Sequence, residues 1–514
     1  MSTDWNEGCF TDVGYTYGYY REISPVFQRF CLLLNGFASP ASGADANHCE
    51  LGFGQGVSIN IHAASNPGHY IGTDFNPSHA AHASSLAGAC GNRARLYDDS
   101  FEQLLNRDDL PLFDSISLHG IWTWVSRDNH KIITEFARRH LKPGGVFYNS
   151  YNCFPGWSPA YPLRQLFALH DRYGTAPHNA EARVDAALKF TQSMLAAEPN
   201  YLKAAPYLPK KLEGIMGQNH HYIAHEYFNR EWNCMYFTDV VDALAPAKLD
   251  FACTATPLDS VDAVNLNQAG QTFLAGIDHP LLREQARDYF VNQQFRKDIY
   301  LRGASRLSPI EQRQRLLDTR LVLVQLADSV PFKVNGAAGE ATLQEAIYRP
   351  LIDLLADKHY APKTIRELAQ GKPDMNWGQL LQAIAILVGM GAVAPCQDDA
   401  AVKAVSRRCA ALNQHLFERA RLGGEVTFLA SPLLGAGVAV NRFEQLYLHC
   451  FQTGKKTAAD AAQSVWRTLA EQGQKIIQEG KTLESPEENL AEITKQAQAF
   501  IDNRLPIMRA LQIG

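Results

Sequence analysis

The chain has 514 residues, 46% of them hydrophobic and 20% charged, with Gly and Pro spread along its length. A single core seldom grows beyond roughly 250–300 residues, so two or three folded domains are expected and a long disordered tract is not. Its 48 Lys and Arg against 53 Asp and Glu give a formal charge of −5 and a pI near 6.4, which removes the general electrostatic case for a nucleic-acid partner.

The ten cysteines include no CxxC pair, which excludes a zinc ribbon or dithiol motif and leaves reduced, structural thiols. The first residues, Met-Ser-Thr-Asp-Trp-Asn-Glu, are acidic where a secretory signal is basic. Apolar runs such as 383–393, broken by two glycines, fall short of the roughly 20 residues that cross a bilayer. A cytoplasmic protein without a transmembrane segment is expected.

In chain order, residues 23–37 read as a helix, with Ser24 as cap, Pro25 in the first turn and Gly36 at the end. Short apolar runs at 48–51, 70–73, 95–97, 113–118 and 146–151 then alternate with helical stretches, the pattern of a parallel α/β sheet. A helix over 128–141 is stopped by Lys142-Pro143-Gly144-Gly145 before the fifth strand. After Pro162 the pattern is helical to about 211, an insertion, and strand character returns at 249–254 and 297–301. From about 309 it is helical again, at 340–357, 363–369, 377–390, 457–479 and 486–510, with no further strand-rich alternation. The expected organisation is a core over 1–158, a helical insertion over 159–225, a region completing the sheet over 226–308 and a mostly helical C-terminal domain over 309–514. Its 340–397 segment is compatible with a winged-helix module, and the lack of a basic stripe favours a protein partner over nucleic acid.

The chemistry-bearing residues begin with Glu50-Leu51-Gly52-Phe53-Gly54-Gln55-Gly56, a strand end leading into a helix, where glycines let backbone approach a ligand. Residue 57 is Val, so the last glycine of a dinucleotide fingerprint is missing; the readings left are another nucleotide-like ligand or an innocent Gly-rich turn. Asp74 ends the second strand 22 residues after Gly52, near the offset of a ribose-binding acid. Phe75 beside it suits either an adenine face or the core. Asp99, followed by Ser100, is placed to accept from an adenine amino group or to cap a helix.

Taken together, Glu50 to Gly56, Asp74, Asp99-Ser100 and Lys142-Pro143-Gly144-Gly145 resemble, in order and spacing, the class I S-adenosylmethionine-dependent methyltransferases over residues 45–152. A narrower resemblance is to bacterial methyltransferases with a regulatory domain, including rickettsial protein-lysine methyltransferases. It rests on Tyr15-Thr16-Tyr17-Gly18-Tyr19, Gly72-Thr73-Asp74-Phe75-Asn76-Pro77, His119-Gly120-Ile121-Trp122, Ser150-Tyr151-Asn152, His225-Glu226-Tyr227-Phe228 and Phe295-Arg296. The resemblance implies a Rossmann-like seven-stranded methyltransferase sheet, with Phe251 and Ile299 near its last two strands. It also implies S-adenosylmethionine as cofactor, held by Tyr17, Glu50, Gly52, Gly54, Gly56, Asp74, Phe75, Asp99, Ser100 and His119.

The acceptor is expected at the carboxyl ends of the fourth and fifth strands, where His119, Trp122, Tyr151 and Asn152 are the catalytic candidates. Methyltransferases acting on nucleobase or glutamine amines carry Asn/Asp-Pro-Pro-Tyr there, and this chain does not. Trp122 and Trp124 suit cation–π contact or buried packing. Tyr15, Tyr17 and Tyr20 suit a lid over the cofactor or an exposed turn. His221, His225 and Glu226 match neither metalloprotease helix motif, so no metal is expected, and His79 and His82 read as ordinary helix residues. The expected reaction is methyl transfer to a protein lysine, against two alternatives: a small-molecule or glycan acceptor, or a cofactor-binding regulator without turnover. The partners expected are a protein substrate and a second copy of the chain in a homodimer.

Overall fold

The computed structural model describes residues 15–40, 42–91, 94–174, 179–218, 220–229, 231–455 and 457–513, without the side chains of 180, 220–222 and 225. The acidic N-terminal stretch and the side chains of His221 and His225 therefore lie outside the described residues.

Seven strands form the central sheet: β1 (Asn47–Leu51), β2 (His69–Thr73), β3 (Arg95–Tyr97), β4 (Phe113–Leu118), β5 (Leu141–Asn152), β6 (Leu249–Thr254) and β7 (Phe295–Arg302). Their order is β3-β2-β1-β4-β5-β7-β6. The first five run parallel, and β7 lies antiparallel between β5 and β6. The chain leaves β1 toward β2 on one side and returns to β4 on the other, so a crevice opens at the carboxyl end of β1. All six residues of β4 are buried, as a strand covered on both faces requires.

β5 begins earlier than expected. Leu141 pairs with Phe113 and Val146 with Ser115, so Lys142 to Gly145 form an irregularity inside the strand instead of a loop before it. The first helix, α1 (Pro25–Leu34), has no side-chain cap. Ser24 instead donates its hydroxyl to the Gly435 carbonyl, 3.0 Å away in the C-terminal domain.

Helices α2 (Val57–Ser65), α3 (Pro77–Cys90), α4 (Phe101–Leu105) and α5 (Arg127–His140) flank the sheet. The insertion is α6 (Tyr161–Tyr173), α7 (Ala180–Ala196), α8 (Asn200–Ala204), α9 (Leu208–Met216) and α10 (His220–Tyr227). These share a core that includes Trp157, Phe167, Leu188, Leu212 and Trp232.

The C-terminal domain contains more strand than its sequence pattern shows. Arg320–Leu323, Lys363–Thr364 and Val393–Cys396 form a three-stranded antiparallel sheet. Three hairpins accompany it, at Lys333–Gly336 with Gly339–Thr342, Phe428–Ser431 with Ala436–Ala439, and Ile477–Gln478 with Lys481–Thr482. These strands are two to four residues long, too short for an alternating pattern to declare itself. The sheet carries helices Glu345–Tyr360, Ile365–Gly371 and Trp377–Gly389.

All nine residues of α2 are buried, including Ser58, Asn60 and His62. A helix apolar on every side must be covered on every side. Its outer cover is the C-terminal helix Asp399–Ala420, and Val57, Ile61 and Ala64 share a core with Val405, Leu412 and Leu416. Polar stitches complete the seam: the Gln397 amide donates to the Ser65 carbonyl at 2.8 Å and the Asn66 amide to Gly435 at 2.7 Å. Among the described residues no helix is long and apolar enough to cross a membrane.

Gly56 enters α2 with φ +73°, and a Cβ there would lie 2.3 Å from the Ala83 Cβ of α3. The expected cofactor-binding role is therefore replaced by a packing role, since Gly56 lets α2 and α3 meet. Gly56→Ala combines left-handed strain with overpacking and is expected to cost on the order of 2–4 kcal/mol, read as a lower urea midpoint.

Candidate active site

The turn after β1 is built from backbone that a side chain would obstruct. Gly52 and Gly54 have φ +72° and +56°, and a Cβ on Gly52 would strike the Ile121 side chain at 2.4 Å. The Gly54 N–H donates to Asp74 Oδ2 at 2.8 Å. Asp74 Oδ1 accepts from the Asn76 N–H at 3.1 Å and meets His79 Nδ1 at 3.0 Å. One carboxylate at the end of β2 thus holds the turn leaving β1.

His79 is buried and serves that carboxylate. His82 reaches the Gln55 carbonyl at 2.7 Å and takes a bond from Arg419 at 2.7 Å. Neither is an ordinary helix residue, because both anchor the glycine turn.

A cavity opens at this crevice, lined by Glu50, Gly52, Gly54, Asp74, Phe75, Asp99, Ser100 and His119 among the expected residues, with Tyr15 and Tyr20 beside them. Burial and the Asp74 charge push the Glu50 carboxyl up to about 8. Asp99 pairs with Arg107 at 2.9 Å, and Ser100 caps α4 in a reciprocal box with Gln103. Ser100, not Asp99, caps the helix, and both residues line the cavity.

The opposite wall comes from after β4 and from the end of the insertion. His119 stacks on Tyr20 with ring centroids 3.7 Å apart, and its Nδ1 meets the Tyr148 hydroxyl at 2.8 Å. Burial pushes its pKa down to about 3, so it is neutral at physiological pH. Trp124 and Glu226 also line this wall. Glu226 accepts from the Asn152 amide at 3.4 Å, and burial pushes its carboxyl up to about 7.

Besides Gly56, four expected site residues stand elsewhere. Tyr17 does not line the cavity and meets the His82 ring edge-on at 5.1 Å. Trp122 is wholly buried and stacked on His130 at 4.1 Å, so of the two tryptophans Trp124 is the one at the cavity. Tyr151 is also wholly buried, its hydroxyl donating to Asp298 at 2.7 Å. Asn152 is buried and acts at one remove, through Glu226. None of the four lines the crevice, and only Tyr151 and Asn152 stand at a strand end.

Residues 49–149 match the family model described as a methyltransferase domain, and 219–302 match that described as a predicted methyltransferase regulatory domain. The chain belongs to the class I S-adenosylmethionine-dependent methyltransferases that carry this regulatory domain. It is 40% identical to the uncharacterized protein sll1526 of Synechocystis sp., over 99% of this chain and 100% of that one. The uncharacterized protein RP789 of Rickettsia prowazekii is 24% identical over 48% of this chain and 44% of its own length. The solved structure of PKMT2 from Rickettsia typhi in complex with AdoHcy shares the fold, with TM-score 0.69, 17% identity, and coverage of 97% of this chain and 99% of that one.

The methyltransferase therefore meets its cavity with acids on two unlike walls. Glu50 and Asp74 sit on the glycine-turn side, and Glu226 on the side built by the insertion. The sequence shows Glu226 only as part of His225-Glu226-Tyr227-Phe228; its placement depends on how the insertion folds back, which periodicity does not reveal. Histidine-selective NMR is expected to show the His119 ring neutral throughout pH 5 to 8, and a titration midpoint inside that range would contradict the buried, stacked setting.

Proposed function

We propose that this methyltransferase transfers the methyl group of S-adenosylmethionine to the side-chain amine of a protein lysine. The observation that carries the acceptor class is Glu226, a half-buried carboxyl in the wall of the cavity that the aromatic groups Trp124 and Tyr20 also line. A carboxylate flanked by aromatic faces suits an ammonium on an aliphatic stem, not a neutral hydroxyl. The resemblance to rickettsial protein-lysine methyltransferases supports the same reading.

The residues present fit the cofactor. Gly52 and Gly54 keep the floor free of side chains, Asp74 and Asp99 offer carboxylates for ribose and adenine donors, and Phe75 offers an aromatic face. Glu50, held partly protonated by burial next to Asp74, is a carboxyl that an arriving positive charge would ionise. When bound, S-adenosylmethionine supplies an electrophilic sulfonium methyl, so the protein need only align a nucleophile and exclude water.

An unperturbed lysine, with pKa about 10.4, must lose its proton before attack. Burial and a nearby positive charge both lower that value. Glu226 is the acceptor for the proton, oriented by Asn152. His119, with its basicity suppressed by burial, is a wall and spacer rather than a base. The Glu226 carboxyl is raised to about 7, hence protonated and inactive below that pH and ionised above it. The rate is expected to rise as pH increases through about 7.

Incubation with methyl-labelled S-adenosylmethionine and a matched lysate is expected to place label on protein lysine. Label found only on small molecules would remove the lysine acceptor and keep the methyltransferase. Glu226→Gln is expected to lower kcat/KM by roughly 10²–10⁴ and abolish the limb near pH 7, with S-adenosylhomocysteine affinity unchanged. Asp74→Ala, by contrast, is expected to weaken that affinity at least about tenfold, measured by calorimetry.

A further inference from the structure

Gln55, in the middle of the glycine turn, lines the cofactor cavity, and its carbonyl is held by two residues that do not. His82 of α3 meets that carbonyl through Nδ1 at 2.7 Å. Arg419, in the last turn of the C-terminal helix Asp399–Ala420, meets His82 Nε2 at 2.7 Å. A guanidinium only donates and a carbonyl only accepts, so the two partners together require a neutral ring with its proton on Nδ1. The donation therefore runs in one direction, from Arg419 through His82 to Gln55.

The turn gains from this hold. Gly54 and Gly56 flank Gln55 with φ +56° and +73°, and glycine rotates through such angles at little cost. The Gly54 N–H is fixed by Asp74 on one side. On the other, the Gln55–Gly56 peptide is fixed at its N–H by the Phe53 carbonyl, within the turn, and at its C=O by His82, from outside it. The Gln55 side chain carries the hold further, donating to the carbonyl of Tyr15, which also lines the cavity.

We propose that Arg419 is a positioning residue for the cofactor, through which the C-terminal domain sets the affinity of the glycine turn for S-adenosylmethionine while His82 is uncharged. The inference rests on the reading of that turn as the cofactor floor, and not on the acceptor being lysine.

Protonation of His82 would set an N–H on Nε2 against the guanidinium and break the relay. The groups that face the ring are Arg419 and His415 of the C-terminal helix, His79 of its own helix and Tyr17 of the N-terminal segment, none of them a carboxylate. Burial first, and the Arg419 charge with it, hold the His82 pKa below the ordinary histidine value, against the opposing pull of the Gln55 carbonyl. The relay is thus intact at neutral pH and is lost as pH falls through that lowered value.

The test is calorimetry of the full-length protein with S-adenosylhomocysteine between about pH 5 and about pH 8, on the natural sequence, Arg419→Ala and Arg408→Ala. Arg408 lies on the same helix and donates to the Asn66 carbonyl at 2.8 Å, so its loss removes an interdomain bond and spares the relay. Arg419→Ala is expected to weaken binding about tenfold near neutral pH. It is also expected to flatten the loss on acidification, because a protonated His82 then keeps its bond to Gln55 unopposed. Arg408→Ala is expected to keep both the affinity and the pH profile, and the Glu50 titration, common to all three proteins, cancels in the comparison. Unchanged affinity in Arg419→Ala, an equal loss in Arg408→Ala, or the same acid limb in all three would overturn the proposal. Asp74→Ala separates two failures: weakened binding there with unchanged binding in Arg419→Ala strikes the relay alone, whereas unchanged binding in both strikes the cofactor floor with it.

Discussion

The Asp74 carboxylate is the constraint on which the rest of the cofactor side depends. It receives the Gly54 N–H, the Asn76 N–H and His79, and so ties the turn after β1 to the end of β2 and the start of α3. Charge-assisted bonds to a buried carboxylate are about twice as strong as neutral ones. They hold a segment of positive-φ glycines that would otherwise have the widest conformational freedom in the chain. The opening beside that turn is a consequence of holding it still. Burial raises the Glu50 carboxyl and the same Asp74 charge adds to it, so the geometry of this wall and part of its electrostatics share an origin.

The parts of this arrangement carried by local spacing are legible in the sequence. Five parallel strands, the turn from Glu50 to Gly56, and the acids Asp74 and Asp99 follow from strand-length apolar runs and fixed offsets, and each is found at the cavity or beside it. Gly56 is the instructive exception: the same glycine pattern lines the cavity at Gly52 and Gly54 and makes a helix contact at Gly56. Sequence states that a side chain is not tolerated and leaves open what would meet it. The strand character of β6 and β7 is legible at 249–254 and 297–301, but the antiparallel place of β7 between β5 and β6 is not, because its pairing with β5 spans residues 153–294 and no local pattern encodes a partner so distant.

The acceptor side shows the opposite balance. Trp122 and Tyr151 are the residue types one would choose for a methyl acceptor site, the one just after β4 and the other at the end of β5, but both are wholly buried in packing. A one-residue change in direction separates Tyr151, which faces Asp298, from Asn152, which faces Glu226. Alternation along a strand decides this, and the starting phase is fixed by the β5–β7 register. Glu226 itself arrives from α10, after four helices whose own core sets where it ends. Chemistry in this half is therefore set by tertiary packing, and residue type alone is a poor guide to it.

The N-terminal segment and the C-terminal domain then explain each other. Tyr20 stacks on His119, Glu22 pairs with Lys297 of β7, and Arg21 donates to the Val388 and Gly389 carbonyls of the C-terminal domain. One short segment thus joins the cavity wall, the regulatory strand and the distal domain. Meanwhile α2 buries every residue only because the helix Asp399–Ala420 lies against it. Without that cover, Val57, Ile61 and Ala64 would face water at the helix that begins where the glycine turn ends. The C-terminal domain is consequently part of the cofactor-binding scaffold. A displacement of it would be felt at α2, at the Arg419–His82–Gln55 link to the glycine turn and, through Arg21, next to the Tyr20–His119 stack.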